Sequence, residues 1–312
     1  MIGRGRGKRE GSRAADASRA PAEPSRGAAK ASEVRYPEFH PAALKRSLFW
    51  ATPTANSIRF VIRLVARVKV TGGDKIGHGP VILAPFHASK IDPLVVAVAI
   101  WNQRVLPHFL AKSSLFGGFV GRALVTMGQI PVLRASTKAG DSLIHAKRAL
   151  AAGQTVVIYP QGTLTKDPEL WPQQAKTGVS RLSIETGVPV IPIAHWGLDH
   201  IMPVHSKKIR PRPGHVVRVA FGDPLHPPAR DARHATSSSL SRSFADRVTA
   251  GIAEGVADLR GVELPQRFRD TIDAWDATHG SVSAEWTDAT THPTDDTRTS
   301  EHPRGADDEE TS

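Results

Sequence analysis

Short runs of β-branched and apolar residues alternate with stretches of helical periodicity through the middle of the chain. The runs that predict strands span residues 80–85, 105–110, 129–133, 155–159, 188–194 and 215–221. The stretches that predict helices span residues 91–102, 114–126, 137–152, 174–186 and 238–259. Strands that alternate with helices are typical of βα units. The pattern therefore predicts an α/β fold with a largely parallel central sheet flanked by helices.

Residues 58–70 (IRFVIRLVARVKV) show an amphipathic pattern upstream of the first predicted strand. Three arginines recur there at every fourth position, as Arg59, Arg63 and Arg67, and apolar residues fill most of the rest. A helix would gather the arginines on one stripe. This favours an amphipathic helix lying in a membrane interface, within a membrane-associating segment at 45–70. An ordinary helix packed on the sheet, or a strand near residues 65–70, remains the alternative.

Composition and charge divide the chain into a folded body and two tails. We expect a disordered basic tail over residues 1–44, a single domain over 45–264 and a disordered acidic tail over 265–312. Residues 51–269 hold 28 Lys and Arg against 13 Asp and Glu, a net charge of +15, whereas the whole chain carries +11. A basic folded body implies an anionic partner, such as nucleic acid, an anionic membrane surface or a phosphorylated substrate.

The chain contains no cysteine, which excludes disulfides, thiolate nucleophiles and cysteine-containing zinc sites. The first thirty residues are basic and lack the apolar segment of a secretory signal, and no apolar stretch reaches about 18 residues. We therefore expect a reduced protein that binds the cytoplasmic face of the cell membrane peripherally and does not span it.

His87 and Asp92 lie directly after the predicted strand at 80–85, where a helix is expected to begin. In an open α/β sheet, ligands bind at the carboxyl ends of the strands. A neutral imidazole there can take a proton from an alcohol, and a carboxylate on its other ring nitrogen fixes the tautomer. The spacing requires a turn between the two residues. Taken alone, it also allows a turn histidine and a helix-capping aspartate.

Three further segments follow in order, GQIPVLR at 128–134, YPQGTLT at 159–165 and VPVIPI at 188–193. Together with His87 and Asp92, they resemble the four ordered blocks of the glycerolipid acyltransferase family, the 1-acylglycerol-3-phosphate acyltransferases. Connecting residues agree as well, including Lys112 before the second block and Lys176-Thr177-Gly178 before the fourth. The resemblance covers about residues 79–225, and its specificity lies in the order of the four blocks.

The resemblance implies direct acyl transfer without an acyl-enzyme. His87 would deprotonate the sn-2 hydroxyl of 1-acylglycerol-3-phosphate, which attacks the thioester of acyl-CoA or acyl carrier protein and gives phosphatidate. Asp92 would orient the imidazole, and backbone N–H groups at the helix start after His87 would stabilise the oxyanion. The scheme needs no cofactor and no metal, because the acyl donor is a co-substrate.

The same resemblance implies five substrate-binding residues, Lys112, Arg134, Gln161, Gly162 and Thr163. Arg134 would hold the acceptor phosphate, for which a guanidinium fork is well suited, with Lys112 assisting. Gln161, Gly162 and Thr163 would shape the turn that approaches the glycerol phosphate.

The chain departs from the family pattern at three positions. Gln161 stands where the family usually has glutamate, Leu164 where it often has arginine, and Phe86 where it commonly has asparagine. Lys166 is a candidate to replace the missing arginine. These departures leave open another lysophospholipid or a glycolipid as acceptor, or a catalytically weak lipid-binding homologue.

Two other functions have less support from the sequence. The Gly/Arg-rich segment at 3–9 is compatible with nucleic-acid binding, but the chain lacks a helix-turn-helix pattern, an aromatic-rich stacking sheet and a zinc module, so no nucleic acid is expected as partner. Four histidines, His195, His200, His205 and His215, lack a recognised ligand spacing, so no metal site is expected.

Overall fold

The computed structural model describes residues 35–77, 79–132, 139–204, 206–228 and 238–280. Within these residues, strands form one sheet, whose members are β1 (Arg67–Thr71), β2 (Ile82–Pro85), β3 (Pro107–Lys112), β4 (Ile130–Val132), β5 (Thr155–Val157), β6 (Val190–Trp196) and β7 (Val216–Phe221). Their order across the sheet is β1-β7-β6-β2-β5-β3-β4. All neighbouring pairs are parallel except β6 and β7, which are antiparallel.

The helices lie on both faces of the sheet. They are α1 (Pro41–Val65), α2 (Asp92–Trp101), α3 (Gly118–Thr126), α4 (Ala139–Ala151), α5 (Gly178–Thr186), α6 (Ser238–Arg260) and α7 (Gln266–His279). The predicted α/β fold with a largely parallel sheet is confirmed, because every predicted strand and helix downstream of residue 79 has its counterpart. Among the described helices, none is long and apolar enough to span a bilayer.

Strand β2 contributes to two separate hydrophobic cores. Ile82 and Ala84 belong to a core with α4, α5 and α6, whereas Leu83 belongs to a core with α2. All residues of β2 are buried, as expected for a parallel strand covered on both faces, and this accounts for its continuous apolar run. Since β5 and β6 flank β2, the residues that follow these three strands meet at the carboxyl edge of the sheet.

The predicted helix over residues 58–70 is wrong beyond Val65. Ala66 has extended dihedral angles, φ −160° and ψ 163°, and residues Arg67–Thr71 form the edge strand β1 beside β7. Val68 and Val70 alternate with more exposed side chains, a period of two that fits a strand. Helix α1 also begins at Pro41, so the predicted basic tail over 1–44 extends too far.

The predicted start of the acidic tail at residue 265 is also wrong, because Gln266–His279 form α7. Phe268 and Trp275, seven residues apart, lie on one face of this helix and are both buried. The ring of Trp275 lies 5.2 Å from that of Phe244 in α6, and the ring of Phe268 lies 6.0 Å from that of Trp171. Aromatic burial therefore makes α7 part of the folded domain. Residues 1–34 and 281–312 lie outside the described residues.

Candidate active site

A tight turn after β2 brings His87 and Asp92 together. Nδ1 of His87 lies 3.0 Å from both carboxylate oxygens of Asp92. The same carboxylate folds back over the turn, because its Oδ2 accepts hydrogen bonds from the backbone N–H groups of Ala88 at 2.9 Å and Ser89 at 3.0 Å. Asp92 is then the first residue of α2, with Pro93 fixing the helix start. The hydrogen bonds that the Asp92 carboxylate accepts thus form the turn that brings the two residues together, although they are five positions apart.

Two further side chains from neighbouring strands hold the Asp92 carboxylate. The hydroxyl of Tyr159, just beyond β5, donates to Oδ1 at 3.0 Å. His195 in β6 places Nε2 3.2 Å from Oδ2 and 3.0 Å from the carbonyl oxygen of Phe86. Since both of these neighbours are acceptors, Nε2 of His195 carries a proton. The carboxylate is completely buried and is surrounded by hydrogen-bond donors.

These donors keep Asp92 ionised. Burial raises the pKa of Asp92, but the hydrogen bonds from His195 and His87 and their charges outweigh it and lower the pKa to about 2. Burial, together with the negative charge of Asp92, raises the pKa of Tyr159 well above its ordinary value, so its hydroxyl remains a donor. Asp92 therefore acts only as an acceptor at neutral pH.

The ionised carboxylate fixes the tautomer of His87. Nδ1 must carry the proton that is shared with Asp92, which leaves the lone pair on Nε2 free to act as a base. The side chain of His87 is 19% exposed, whereas that of Asp92 is fully buried. The ring also lies 4.5 Å from the ring of Tyr159, which restricts its orientation. The arrangement is that of an oriented, partly accessible general base.

The expected oxyanion donors after His87 are not available. The N–H groups of Ala88 and Ser89 both donate to Asp92, so the prediction that the helix start stabilises an oxyanion is wrong for these two residues. The hydroxyl of Ser89 donates to the carbonyl of Met202 at 2.8 Å and is buried, which makes Ser89 a structural residue of the turn.

His87 and Tyr159 open onto an apolar cavity of about 410 Å³. Its walls come from α1 (Ala51, Thr54, Ala55, Ile58), from α2 (Pro93, Leu94, Ala97, Val98, Trp101) and from β3 with the residues around it (Leu106, Pro107, Phe109, Leu110, Ala111, Lys112, Leu115). Lys112 is the cation of this lining, at the end of β3. A cavity of this size and polarity accepts an apolar ligand and exposes one end of it to the imidazole.

The third predicted block forms a turn beside His87. Thr165 donates its backbone N–H to the carbonyl of His87 at 2.8 Å, which ties the end of the turn to the histidine. Gln161 is buried, and its Nε2 donates to the carbonyl of Gln173 at 3.2 Å. Its Oε1 is buried and has no hydrogen-bond partner among the described residues. The side chain of Thr163 is exposed, and Arg134 lies outside the described residues.

Lys176 occupies the position next to Gly162 in this turn. Gly162 has a φ of +67°, and a Cβ added to it would lie 3.4 Å from Nζ of Lys176. The backbone N–H of Lys176 donates to the carbonyl of Pro160 at 2.9 Å, which anchors the lysine to the start of the turn. The sequence suggested Lys166 as the replacement for an arginine at 164, but it is Lys176 whose ammonium is brought to the turn.

Sequence reasoning missed the roles of Tyr159 and His195. Tyr159 appeared only as the start of the third block, and His195 only as a member of a group of histidines without ligand spacing. The order β6-β2-β5 places both on Asp92, and no pattern in the sequence reveals that order. Two other histidines of the group lie elsewhere, since His215 bonds the carbonyl of Gly197 at 2.9 Å and stacks edge-on with His200.

Comparisons with known proteins find similarity to acyltransferases. A family model described as "Acyltransferase" matches residues 67–196, which run from β1 through the active-site turn to β6. A chloroplastic 1-acyl-sn-glycerol-3-phosphate acyltransferase of Brassica napus, BAT2, is 34% identical over 103 residues, which are 32% of this chain and 29% of that protein. The corresponding LPAT1 of Arabidopsis thaliana is 32% identical over 120 residues, 38% of this chain and 33% of that protein. The chain thus spans about a third of the length of these curated relatives.

A solved structure has a similar fold. The crystal structure of the 1-acyl-sn-glycerophosphate (LPA) acyltransferase PlsC from Thermotoga maritima aligns with a TM-score of 0.52, over 70% of this chain and 80% of that chain. The aligned sequences are 20% identical, so this likeness concerns the fold alone.

Proposed function

We propose that this chain is a glycerolipid acyltransferase that moves a fatty acyl group from acyl-CoA or acyl carrier protein to the sn-2 hydroxyl of 1-acylglycerol-3-phosphate, as its similarity to such enzymes supports. The product would be phosphatidate. The observation that carries the proposal is the His87–Asp92 pair, with a free Nε2 at the edge of an apolar cavity. A base next to an apolar cavity suits a reaction between a hydroxyl group and a long-chain thioester.

The proposed step needs no protein nucleophile. Nε2 of His87 takes the proton of the acceptor hydroxyl as its oxygen forms a bond to the thioester carbonyl carbon. Asp92 stabilises the imidazolium through the hydrogen bond at Nδ1. When the tetrahedral intermediate collapses, the carbon–sulfur bond breaks and the leaving thiolate takes the proton from the imidazolium. The enzyme returns to its starting protonation state.

The acyl chain of the donor would occupy the apolar cavity. Because the cavity is lined almost wholly by apolar side chains, a hydrocarbon chain gains about 0.8 kcal/mol for each CH₂ group that it buries there. Ala97 and Val98 lie midway along α2 and line the same cavity, so they are positioned to limit chain length.

The acceptor phosphate would bind between Lys112 and the turn after Tyr159. Lys112 lines the cavity at the end of β3, and Lys176 brings a second ammonium group to Gly162. Neither lysine has an ion pair in the described part of the chain, which leaves both charges available for a phosphate. The family resemblance adds Arg134 to this site as a third cation.

We propose that the protein binds an anionic membrane surface through α1 and α3. Helix α1 exposes Phe49, Trp50, Phe60 and Leu64, and α3 exposes Phe119, 80% accessible, and Val120. The two helices are joined by a hydrogen bond from the Ser47 hydroxyl to the Thr126 carbonyl at 2.8 Å. Exposed aromatic and aliphatic side chains on one pair of helices, with basic residues nearby, are typical of interfacial binding.

A different acceptor has support from Gln161 and Leu164. Oε1 of Gln161 is buried in the turn of the proposed phosphate site and has no hydrogen-bond partner in the described part of the chain, and Leu164 supplies no charge there. A buried acceptor oxygen without a partner favours a substrate or water that donates a hydrogen bond to it. A glycolipid, whose sugar carries several hydroxyl groups, or another lysophospholipid with a hydrogen-bond donor in its headgroup would satisfy this oxygen.

The test is an acyl-transfer assay on the purified full chain in detergent. We expect labelled acyl groups to pass from acyl-CoA or acyl carrier protein to 1-acylglycerol-3-phosphate, and His87→Ala to reduce kcat by about 10²–10⁴-fold. His200→Ala is the matched control, because His200 is exposed and makes no contact with Asp92 in the described structure. Equal activity of the two variants would contradict the assignment of His87 as the base.

A panel of acceptors decides between the two candidates. Transfer to 1-acylglycerol-3-phosphate at least tenfold above other lysophospholipids and glycolipids supports the first, and the reverse order supports the second. If the wild type is inactive with every acceptor and both donors, while Gln161→Glu restores transfer, the chain is a catalytically weak homologue.

A further inference from the structure

A second cavity, of about 460 Å³, lies between α1, α2 and β1 and is lined by three arginines, Arg59, Arg63 and Arg67. Its other lining residues are Ile62, Ala66, Val68, Val98, Asn102 and Gly214. His87 and Lys112 are not among them, so this cavity is separate from the catalytic one. The two cavities share one residue, Val98 of α2.

The break at Ala66 makes the three arginines converge. Arg59 and Arg63 lie one turn apart on α1, and the chain then turns into β1, where the backbone N–H of Arg67 donates to the carbonyl of His215 at 2.8 Å. A continuous helix would have spread these side chains along an outward stripe. In the folded protein they line a common space, which Asn102 also borders.

The cavity has a strong and uncompensated positive charge. None of the three guanidinium groups has an ion pair or hydrogen bond to another residue in the described ranges. No acidic residue occurs from Phe39 to Gly73, and Asp92, the only one in α2, is buried in the active site. Three like charges around one cavity repel each other, and an anion at its centre would relieve this repulsion.

We infer that this cavity binds the phosphate group of an anionic phospholipid. Guanidinium groups match phosphate oxygens in charge and geometry. The lipid is favoured over a soluble anion because Phe60 and Leu64, next to the arginines on α1, are 64% and 59% exposed and offer an apolar surface to the acyl chains. The inference goes beyond the proposed acyl transfer and does not depend on it. The inferred lipid binding occurs at one saturable site and is not a diffuse attraction to a charged surface.

The test measures binding of monomeric dihexanoyl phosphatidylglycerol to the full chain by calorimetry. We expect saturable binding of one lipid per chain. The triple variant R59Q/R63Q/R67Q should bind about 1,000-fold more weakly, because each of the three charged contacts to a phosphate contributes about tenfold in affinity. The matched control is K207Q/K208Q/R210Q, which removes the same charge from an exposed loop that does not line the cavity. This control should stay within about twofold of the wild type.

Two further arms identify the ligand and separate the site from the catalytic one. If inorganic phosphate binds the same arginine-dependent site as tightly as the lipid, the site recognises phosphate alone and is not a lipid site. Weaker binding of inorganic phosphate shows that the acyl chains contribute. The variant K112A/K176A, which alters the proposed acceptor site, should leave this binding unchanged even if it abolishes acyl transfer. Equal loss in both triple variants, or no saturable binding of either probe by the wild type, would overturn the inference.

Discussion

Asp92→Asn should remove catalysis by changing the tautomer of His87. The carboxylate accepts two backbone N–H groups on Oδ2 and, through Oδ1, the hydroxyl of Tyr159, while His87 bonds both oxygens. An asparagine keeps its carbonyl oxygen for the two fixed backbone donors and turns its NH₂ group toward His87 and Tyr159. The hydroxyl of Tyr159 can rotate to accept this hydrogen bond. Nδ1 of His87 accepts only by moving its proton to Nε2, which removes the base.

The expected loss in kcat is about 10⁴-fold, the size found when a carboxylate is replaced by its amide behind a catalytic histidine elsewhere.

The stability of the protein should also change with pH because of Asp92. The folded-state pKa of Asp92 is lowered from 3.8 to about 2, so its contribution, about 2 kcal/mol, is present above pH 4 and is lost as pH falls toward 2. Between pH 5 and pH 2, the free energy of unfolding measured in urea should therefore fall by about 2 kcal/mol more for the wild type than for the variant.

The matched control is Asp199→Asn, the same chemical change at a half-buried aspartate that pairs with His200. Initial rates with a labelled thioester, at saturating acceptor, give kcat for both variants. A loss of less than tenfold in Asp92→Asn, or an equal loss in Asp199→Asn, would refute the tautomer argument.

Three other changes test separate parts of the structure. Lys176→Ala should raise KM for 1-acylglycerol-3-phosphate about tenfold by removing a charge from the phosphate site, whereas Lys166→Ala should change it less than twofold; steady-state kinetics with varied acceptor distinguish them. Ala97→Trp should fill part of the apolar cavity and shift preference toward shorter acyl donors, which competition between C8 and C16 thioesters measures; an unchanged preference would exclude the cavity as the acyl site. Trp275→Ala should destabilise the domain by about 3–5 kcal/mol in urea unfolding, since Trp275 is buried against Phe244, and no change would mean that α7 is dispensable.

Much of the sheet could be predicted from the chain because its central strands are short apolar runs between helices. The run at 80–85 has one interpretation, since a strand covered on both faces is continuously apolar. Residues 67–71 were ambiguous, because RVKVT alternates with a period of two but directly follows a helical pattern with arginines every fourth residue. Only pairing with β7, about 150 residues later, decides in favour of a strand.

The candidate site was predictable in its centre and not in its surroundings. The His87–Asp92 pair is local, so the motif and the strand before it locate both residues. Tyr159 and His195 contact Asp92 from strands 67 and 103 residues away in sequence. Their positions follow from the order of strands, which the hydrophobic pattern does not specify. The segment between Gly162 and Lys176 contains no helix or strand, so no periodic sequence pattern predicts their contact.

Helix α1 contributes to both the apolar cavity and an exposed apolar surface, and deleting the helix would remove both at once. Its residues from Ala51 to Ile58 close the apolar cavity beside His87, while Phe60 and Leu64 face outward. A chain cut before Ala66 would lose these exposed apolar side chains, which are the proposed lipid contacts, and would also open the cavity to water. Loss of activity in such a truncation therefore says nothing about whether the membrane is needed, and point substitutions on the outer face are the informative choice.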